Sequence, residues 1–226
     1  MKILAIDSAT EACSVALGLG AMRIERYVEL ERGHAEHLLP MIDEVLAEAG
    51  ITLASLDAIA FGRGPGAFTG VRLAASIAQG LAFGAGLGVV PVSDLAAVAQ
   101  RAFALQPTAR RVLAITDARM REVYWAEFSI AQTAQLLGTE HVSAGVDVVI
   151  SARQDGTWLA AGRGLRASPE LAQRCLAAGA VLHPDVLPRA SEVLELAQPA
   201  VAAGQILPPE SALPVYVRDR VVAVAT

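Results

Sequence analysis

The chain has 226 residues, 54% of them hydrophobic and 18% charged, with a formal net charge of −5. That length allows one large domain or two small ones with ample core, and the acidic balance argues against direct nucleic-acid binding as the main activity. So apolar a composition also implies surface that something else covers.

The first predicted element is a short apolar strand, Ile3 to Ile6, ending at Asp7. The aspartate interrupts the apolar run too early for a signal peptide. Ser8, Ala9 and Thr10 form a turn. Ser14 to Leu19 and Ile24 to Leu30 read as two further strands. A helix follows from about Ala35 to Ala49, with Leu38, Ile42, Val45 and Ala49 on one face and Gly50 as its stop. Pro40 sits in its first turns or kinks them. Leu56 to Phe61 is a fourth strand.

The stretch Gly62 to Gly86 comes next, and the chain is organised around it. Four glycines and a proline between Gly62 and Gly70 predict a loop with unusual backbone angles. Thr69 is placed to cap a helix beginning near Gly70 or Val71. Free N–H groups at such a helix start can receive an anion. On the helix itself Arg72, Ser76 and Gln79 make one narrow polar stripe, and nearly everything else is apolar or tiny. Gly80 and Gly84, one turn apart, allow close approach of another helix. The charge-free run from Arg72 to Asp94 has the length of a membrane span. Its Ala and Gly content, with Ser76, Gln79 and Pro91, predicts helix, turn and buried strand instead.

Val89 to Val92 is a fifth strand, and Ser93 caps a helix reaching about Ala104. After a linker at Gln106–Thr108 the order recurs. Val112 to Thr116 ends at Asp117, and a turn at Ala118-Arg119-Met120 leads to Glu122–Phe128 and then Gln135–His141. Val146 to Gln154 is ambiguous. Thr157 to Ala161 runs into Gly162-Arg163-Gly164. Ser168 caps a helix, Ala180 to His183 is a strand, and Ser191 opens a last helix that Pro199 interrupts. The expected fold is α/β: a duplicated ribonuclease-H-like, actin-like ATPase fold. Each half reads β-β-β-α-β-α-β-α with a mixed sheet. The boundaries are 1–105, carrying dimerisation helices, and 106–226, whose tail returns to the first half. Cys13 and Cys175, far apart, read as free thiols of a reducing cytoplasm.

Four strings carry a family resemblance: Asp7-Ser8-Ala9-Thr10, Gly62 through Arg72, Asp117 through Tyr124, and Pro214-Val215-Tyr216-Val217-Arg218. With them the chain resembles the bacterial TsaB family of tRNA threonylcarbamoyladenosine biosynthesis. The resemblance implies a non-catalytic, cytoplasmic subunit. It implies pairing with the catalytic paralogue TsaD through the N-terminal helices, joining of the ATPase TsaE, and self-association through the same face when alone. It also implies contact with tRNA only through the complex, and no membrane. The residues then expected at the subunit interface are His37, Met41, Val45, Arg72, Ser76, Gln79, Gly80, Phe83 and Gly84.

Asp7, Ser8, Thr10, Gly64 and Gly66 are the residues of a degenerate nucleotide cleft. Weak ADP or ATP binding is expected there, with no cofactor required. The counterpart loop at Asp117 lacks a glycine that would let a phosphate approach, so an actin-like ATPase or kinase is the alternative reading. His34 and His37 share a helix face, but no further ligand joins them, and no metal site is expected. Peptidase chemistry is less favoured still. Ser8 has no histidine partner in reach of the pattern, so no catalytic residue is assigned.

Overall fold

A computed structural model describes residues 1–150 and 157–217. The first half builds β1 (Lys2–Asp7), β2 (Ala12–Leu19), β3 (Met22–Glu29), α1 (His34–Ala49), β4 (Ala58–Gly62), α2 (Phe68–Ala85), β5 (Gly88–Val92) and α3 (Asp94–Leu105). The second builds β6 (Arg111–Asp117), β7 (Glu122–Ile130), β8 (Ala134–Ala144), β9 (Trp158–Ala161), α4 (Gly164–Ala167), α5 (Pro169–Ala177), β10 (Val181–His183) and α6 (Ala190–Ala202).

The two sheets have one topology. The first runs β3-β2-β1-β4-β5 and the second β8-β7-β6-β9-β10. In both, the meander pairs are antiparallel and the inner and outer crossover pairs parallel. This is a duplicated α/β architecture, as the order of strands and terminal aspartates predicts. Between β8 and β9, where the first half has α1, the described residues hold only a single 3-10 turn at Gly145–Asp147. Part of the ambiguous stretch Val146–Gln154 lies outside the described residues.

The central strands β1, β4, β6 and β9 are apolar on both faces because both faces are covered. On β1, Leu4 and Ile6 point to α1 and α2, while Ile3 and Ala5 point to α6. On β6, Val112 and Ala114 meet α3, while Leu113 and Ile115 meet Leu165 and α5. The period of two along each strand therefore sorts residues into different cores.

The division at residues 105/106 separates the sheets and not the helices. α3 packs on β6, β7 and β8 of the second sheet, whereas α6 packs on β1, β2, β4 and β5 of the first. The two helices also touch one another, with Arg101 to Glu192 at 3.2 Å and Gln100 Nε2 to Glu195 at 3.0 Å. Gly18 makes room for this exchange, because a Cβ there would press on Leu194 at 3.0 Å. The chain after α6 stays on the first half: Leu207 bridges Val89, and Val215 N–H donates to Arg63 O at 2.7 Å.

Three local expectations are corrected. Helix α2 starts at Phe68, and Thr69 caps nothing. Backbone groups do that work: Ala67 N–H is taken by Ala9 O, and Ala67 O accepts the first helical bond from Val71 N–H. Ser168 precedes α5 without a side-chain cap bond. Pro199 does not interrupt α6, which opens at Ala190 and runs on to Ala202. Ser93, by contrast, caps α3 as its sequence position suggests, accepting from Ala96 N–H at 3.2 Å.

Because α6 closes the first sheet from the second half, Leu194→Ala is expected to destabilise by about 2–5 kcal/mol. Chemical denaturation should show both halves lost in one transition. Separate transitions would show that the exchanged helices do not couple them.

Candidate partner surface and cleft

The residues singled out from sequence separate into two places. The first is the outer face of the helices over the first sheet. α2 buries Val71, Ala74, Ala75, Ala78 and Ala82. These small side chains let the helix lie close on β4 and β1. Among the described residues its opposite face is open beyond Arg72. Arg72, Ser76, Gly80, Phe83 and Gly84 are all exposed, at spacings of four, four, three and one, so they form one stripe. Phe83 is 81% exposed. A Cβ at Gly80 or Gly84 would meet no atom within 4 Å.

The expected interface set needs correction at Val45, and Met41 and Gln79 are half-buried. Val45 is fully buried with Leu38 and Ile42 in the core against the first sheet, because these three share the inner face of α1. Met41 packs on the same core. Gln79 turns away from the stripe and donates to Pro209 O at 3.2 Å. His37 is exposed, as are Leu39 and Pro40 in the same turn of α1. Phe68 and Leu39 are exposed apolar residues that the stripe spacing alone did not single out.

At the N-terminal end of the stripe the tail folds back. The Arg72 guanidinium lies 3.6 Å from the Phe68 ring centroid, and its Nε donates to Tyr216 Oη at 2.6 Å. Tyr216 in turn packs tilted on Phe68, ring centroids 5.9 Å apart. The tail motif is thus part of this surface, although its sequence distance from Arg72 hides that.

The second place is the cleft between the halves, a cavity of about 640 Å³. Ser8, Thr10 and Gly66 line it, with Thr116, Asp117 and Arg119 opposite. Asp7 and Gly64 do not reach it. Asp7 is fully buried beneath the turn, its Oδ1 accepting from Ala9 N–H at 2.8 Å, and burial raises its pKa above the ordinary carboxylate value. Ser8 is 1% exposed and donates to Gly70 O at 2.9 Å. Ion pairs span the cleft mouth. Arg163 reaches Glu29 at 2.5 Å and Glu11 at 3.8 Å, and Arg119 reaches Glu11 at 3.5 Å. Its partners Tyr27 and Arg163 hold the Glu29 carboxyl below the usual range. The opposing loop carries three consecutive non-glycine residues with positive φ, Arg119, Met120 and Arg121, a conformation that stores strain.

His34 and His37 do not converge. His34 Nε2 is bonded to Thr10 O at 2.8 Å, while His37 is exposed one turn along α1. Among the described residues no three His, Cys, Asp or Glu side chains gather to hold a metal, and no helix is long and apolar enough to cross a membrane.

The glycines of this region fall into two physical kinds, and substitution separates them. A Cβ at Gly70 would overlap the Ser8 carbonyl, so Gly70→Ala is expected to lower stability by about 1–3 kcal/mol. Gly84 has open space around it, so Gly84→Ala should raise helix stability by up to about 1 kcal/mol. Thermal melting of both variants measures this; equal losses at the two sites would place Gly84 in the core.

Comparison with known proteins agrees with the duplicated fold. The family model described as TsaD, tRNA N6-adenosine threonylcarbamoyltransferase, matches residues 28–154. The tRNA threonylcarbamoyladenosine biosynthesis protein TsaB of Escherichia coli is 41% identical, over 98% of this chain and 96% of the relative. Its counterpart in Haemophilus influenzae is 39% identical, over 98% and 95%. Among solved structures, YeaZ from Pseudomonas aeruginosa superposes with a TM-score of 0.85 at 43% identity, covering 95% of this chain and 99% of that one. A second Pseudomonas aeruginosa structure, described as similar to peptidase YeaZ, gives 0.87 at 43%, covering 96% and 99%. The chain belongs to the TsaB family of tRNA threonylcarbamoyladenosine biosynthesis proteins.

Proposed function

We propose that this chain is a non-catalytic scaffold subunit of the machinery that transfers a threonylcarbamoyl group to tRNA adenosine. In this reading it pairs with TsaD through α1 and α2, the pair recruits TsaE, and two copies pair through the same face when TsaD is absent. The carrying observation is the exposed stripe of α2, where 81%-exposed Phe83 stands beside two glycines that nothing among the described residues approaches. The match of a TsaD family model to this chain supports a like-folded partner. Two similar subunits can present equivalent helices to each other in a pseudo-symmetric contact.

Several features speak against turnover by the chain alone. Asp7, the acid that an actin-like ATPase would turn toward a metal-bound phosphate, is sealed beneath its turn. The opposing loop at Asp117 has no glycine. Ser8 is buried and spends its hydroxyl proton on Gly70 O, so it is no nucleophile. Of the expected nucleotide set, only Ser8, Thr10 and Gly66 line the cleft. Nucleotide binding is weak in this reading, because a helix N-terminus contributes only about 0.3–1 kcal/mol at an exposed site. Calorimetry with ADP and ATP checks this, and submicromolar affinity would favour the ATPase or kinase reading.

The interface is tested by Gly80→Leu and Phe83→Asp. Gly80→Leu is expected to weaken TsaD pairing by about 1–3 kcal/mol through overpacking, roughly five- to hundred-fold in affinity. The Phe83→Asp change should also weaken pairing, with the monomer's melting temperature close to wild type for both. Pull-down with TsaD and light scattering of the chain alone supply the readouts. Normal pairing by both variants would move the interface elsewhere. ATP or peptide turnover by a clean preparation, abolished by Asp7→Ala, would overturn the scaffold reading.

A further inference from the structure

Asp7 ends β1 and Asp94 opens α3, and both side chains are fully buried. Each has one satisfied oxygen. Asp7 Oδ1 accepts from Ala9 N–H, and Asp94 Oδ2 accepts from Gly64 N–H. The other two oxygens, Asp7 Oδ2 and Asp94 Oδ1, are shut off from water and have no donor of their own. They converge over Gly62, where a Cβ would overlap Asp94 Oδ1 and come within 3.2 Å of Asp7 Oδ2, and the two side chains lie within hydrogen-bonding range. Two carboxylate oxygens cannot satisfy one another, whereas one proton between them satisfies both.

We propose that Asp7 and Asp94 share a single proton in the folded protein, and that this proton is a pH-sensitive clamp on the glycine loop leading into α2. The clamp joins three segments: the end of β1, the loop at Gly62–Gly64 and the start of α3. It is independent of the partner assignment.

The surrounding groups do not replace the proton. From the loop, Arg63 turns its guanidinium to Glu140 of β8 at 3.3 Å, and Glu140 also takes the Ser93 hydroxyl. From α1, His34 is bonded to Thr10 O. From β2, the Cys13 thiol donates to His34 O at 3.8 Å, and burial followed by the Asp7 charge pushes it up to about 11. Among the described residues neither carboxyl takes part in an ion pair. Burial raises both carboxyls, Asp94 the more strongly because the Asp7 charge adds to it. The sign follows. An acid raised in the folded state contributes stability that is complete below its unfolded value, 3.8 here, and is lost as pH climbs through the folded value. The clamp therefore weakens toward alkaline pH.

Asp94→Asn is the informative variant. Its amide oxygen can keep the Gly64 N–H bond while its amide nitrogen donates to Asp7, so the geometry persists without a titrating proton. Thermal unfolding of the full chain is compared from about pH 6 to about pH 9. The melting temperature of the variant relative to wild type is expected to rise with pH and to level off once the shared proton is lost. Infrared spectroscopy supplies a readout that needs no variant: at neutral pH the wild type should show the C=O band of a buried protonated carboxyl, fading as pH rises. In Asp94→Asn the band should be missing. Absence of the band in wild type at neutral pH would overturn the proposal, and so would a difference in melting temperature that does not change with pH. Should Asp94→Asn fail to fold, the titration of the wild-type band decides alone.

Discussion

Gly66 and Gly70 let the backbone of one loop lie directly on the backbone of the β1–β2 turn. A side chain at either position would occupy the place of the Ala9 or Ser8 carbonyl. The contact is held by Ala67 N–H on Ala9 O and Ser8 Oγ on Gly70 O, at 2.7 and 2.9 Å. From it follow the start and direction of α2, since the first helical carbonyl belongs to Ala67. Asp7 lies fully buried at the head of the same turn, its Oδ1 accepting from Ala9 N–H, so the start of α2 and the buried acid meet at one turn.

The two halves are joined by more than a linker. Because α3 covers the second sheet and α6 the first, neither sheet has a complete core without the other half. Buried polar contacts reinforce the exchange: Ala190 N–H donates to Ser14 Oγ at 2.9 Å, and Arg189 stacks 3.7 Å over the Tyr27 ring. The Arg163 and Arg119 pairs at the cleft mouth join the same walls. A hinge that opens and closes around a ligand needs weaker contacts than these.

Much of the fold was legible because it rests on local signals. Strand-ending Asp7 and Asp117, the period of two in β1 and β6, and Gly50 as the stop of α1 all act within a few residues. The exchange of α3 and α6 was not legible, because an amphipathic helix reports that one face is buried and not which sheet buries it. The outer stripe of α2 was partly legible. Arg72, Ser76, Gly80 and Gly84 follow from spacing, but Gln79 is drawn off by Pro209 O, a partner 130 residues away. Val45 was misplaced for a related reason: a broadly apolar helix does not reveal which edge of its apolar face meets its own sheet. The cleft set was read from the Gly-rich and Asp-Ser-x-Thr patterns, and these report backbone shape. Whether Asp7 faces the cleft is decided by Asp94, which no pattern links to it.

The glycines of α2 bear on why this face stays bare. A glycine inside a helix is destabilising by about 1 kcal/mol relative to alanine, and a chain keeps one where a backbone passes too close for a methyl group. Gly66 and Gly70 have that reason within the chain. Gly80 and Gly84 lie in helical backbone with open space where a Cβ would stand, so their own fold offers no such reason. In the proposed scaffold role, a partner helix supplies the close approach that the described residues do not. A flat Gly/Ala surface offers little apolar area of its own, so affinity has to come from a few large side chains around it. Phe83 between the two glycines, with Phe68, Arg72 and Tyr216 at one end, supplies such anchors. A partner helix crossing at the glycines would bring its backbone against α2 and bury the Phe83 ring in the same step. Close approach and anchoring would then depend on the same four residues, Gly80, Phe83 and Gly84 with Ser76 one turn before Gly80.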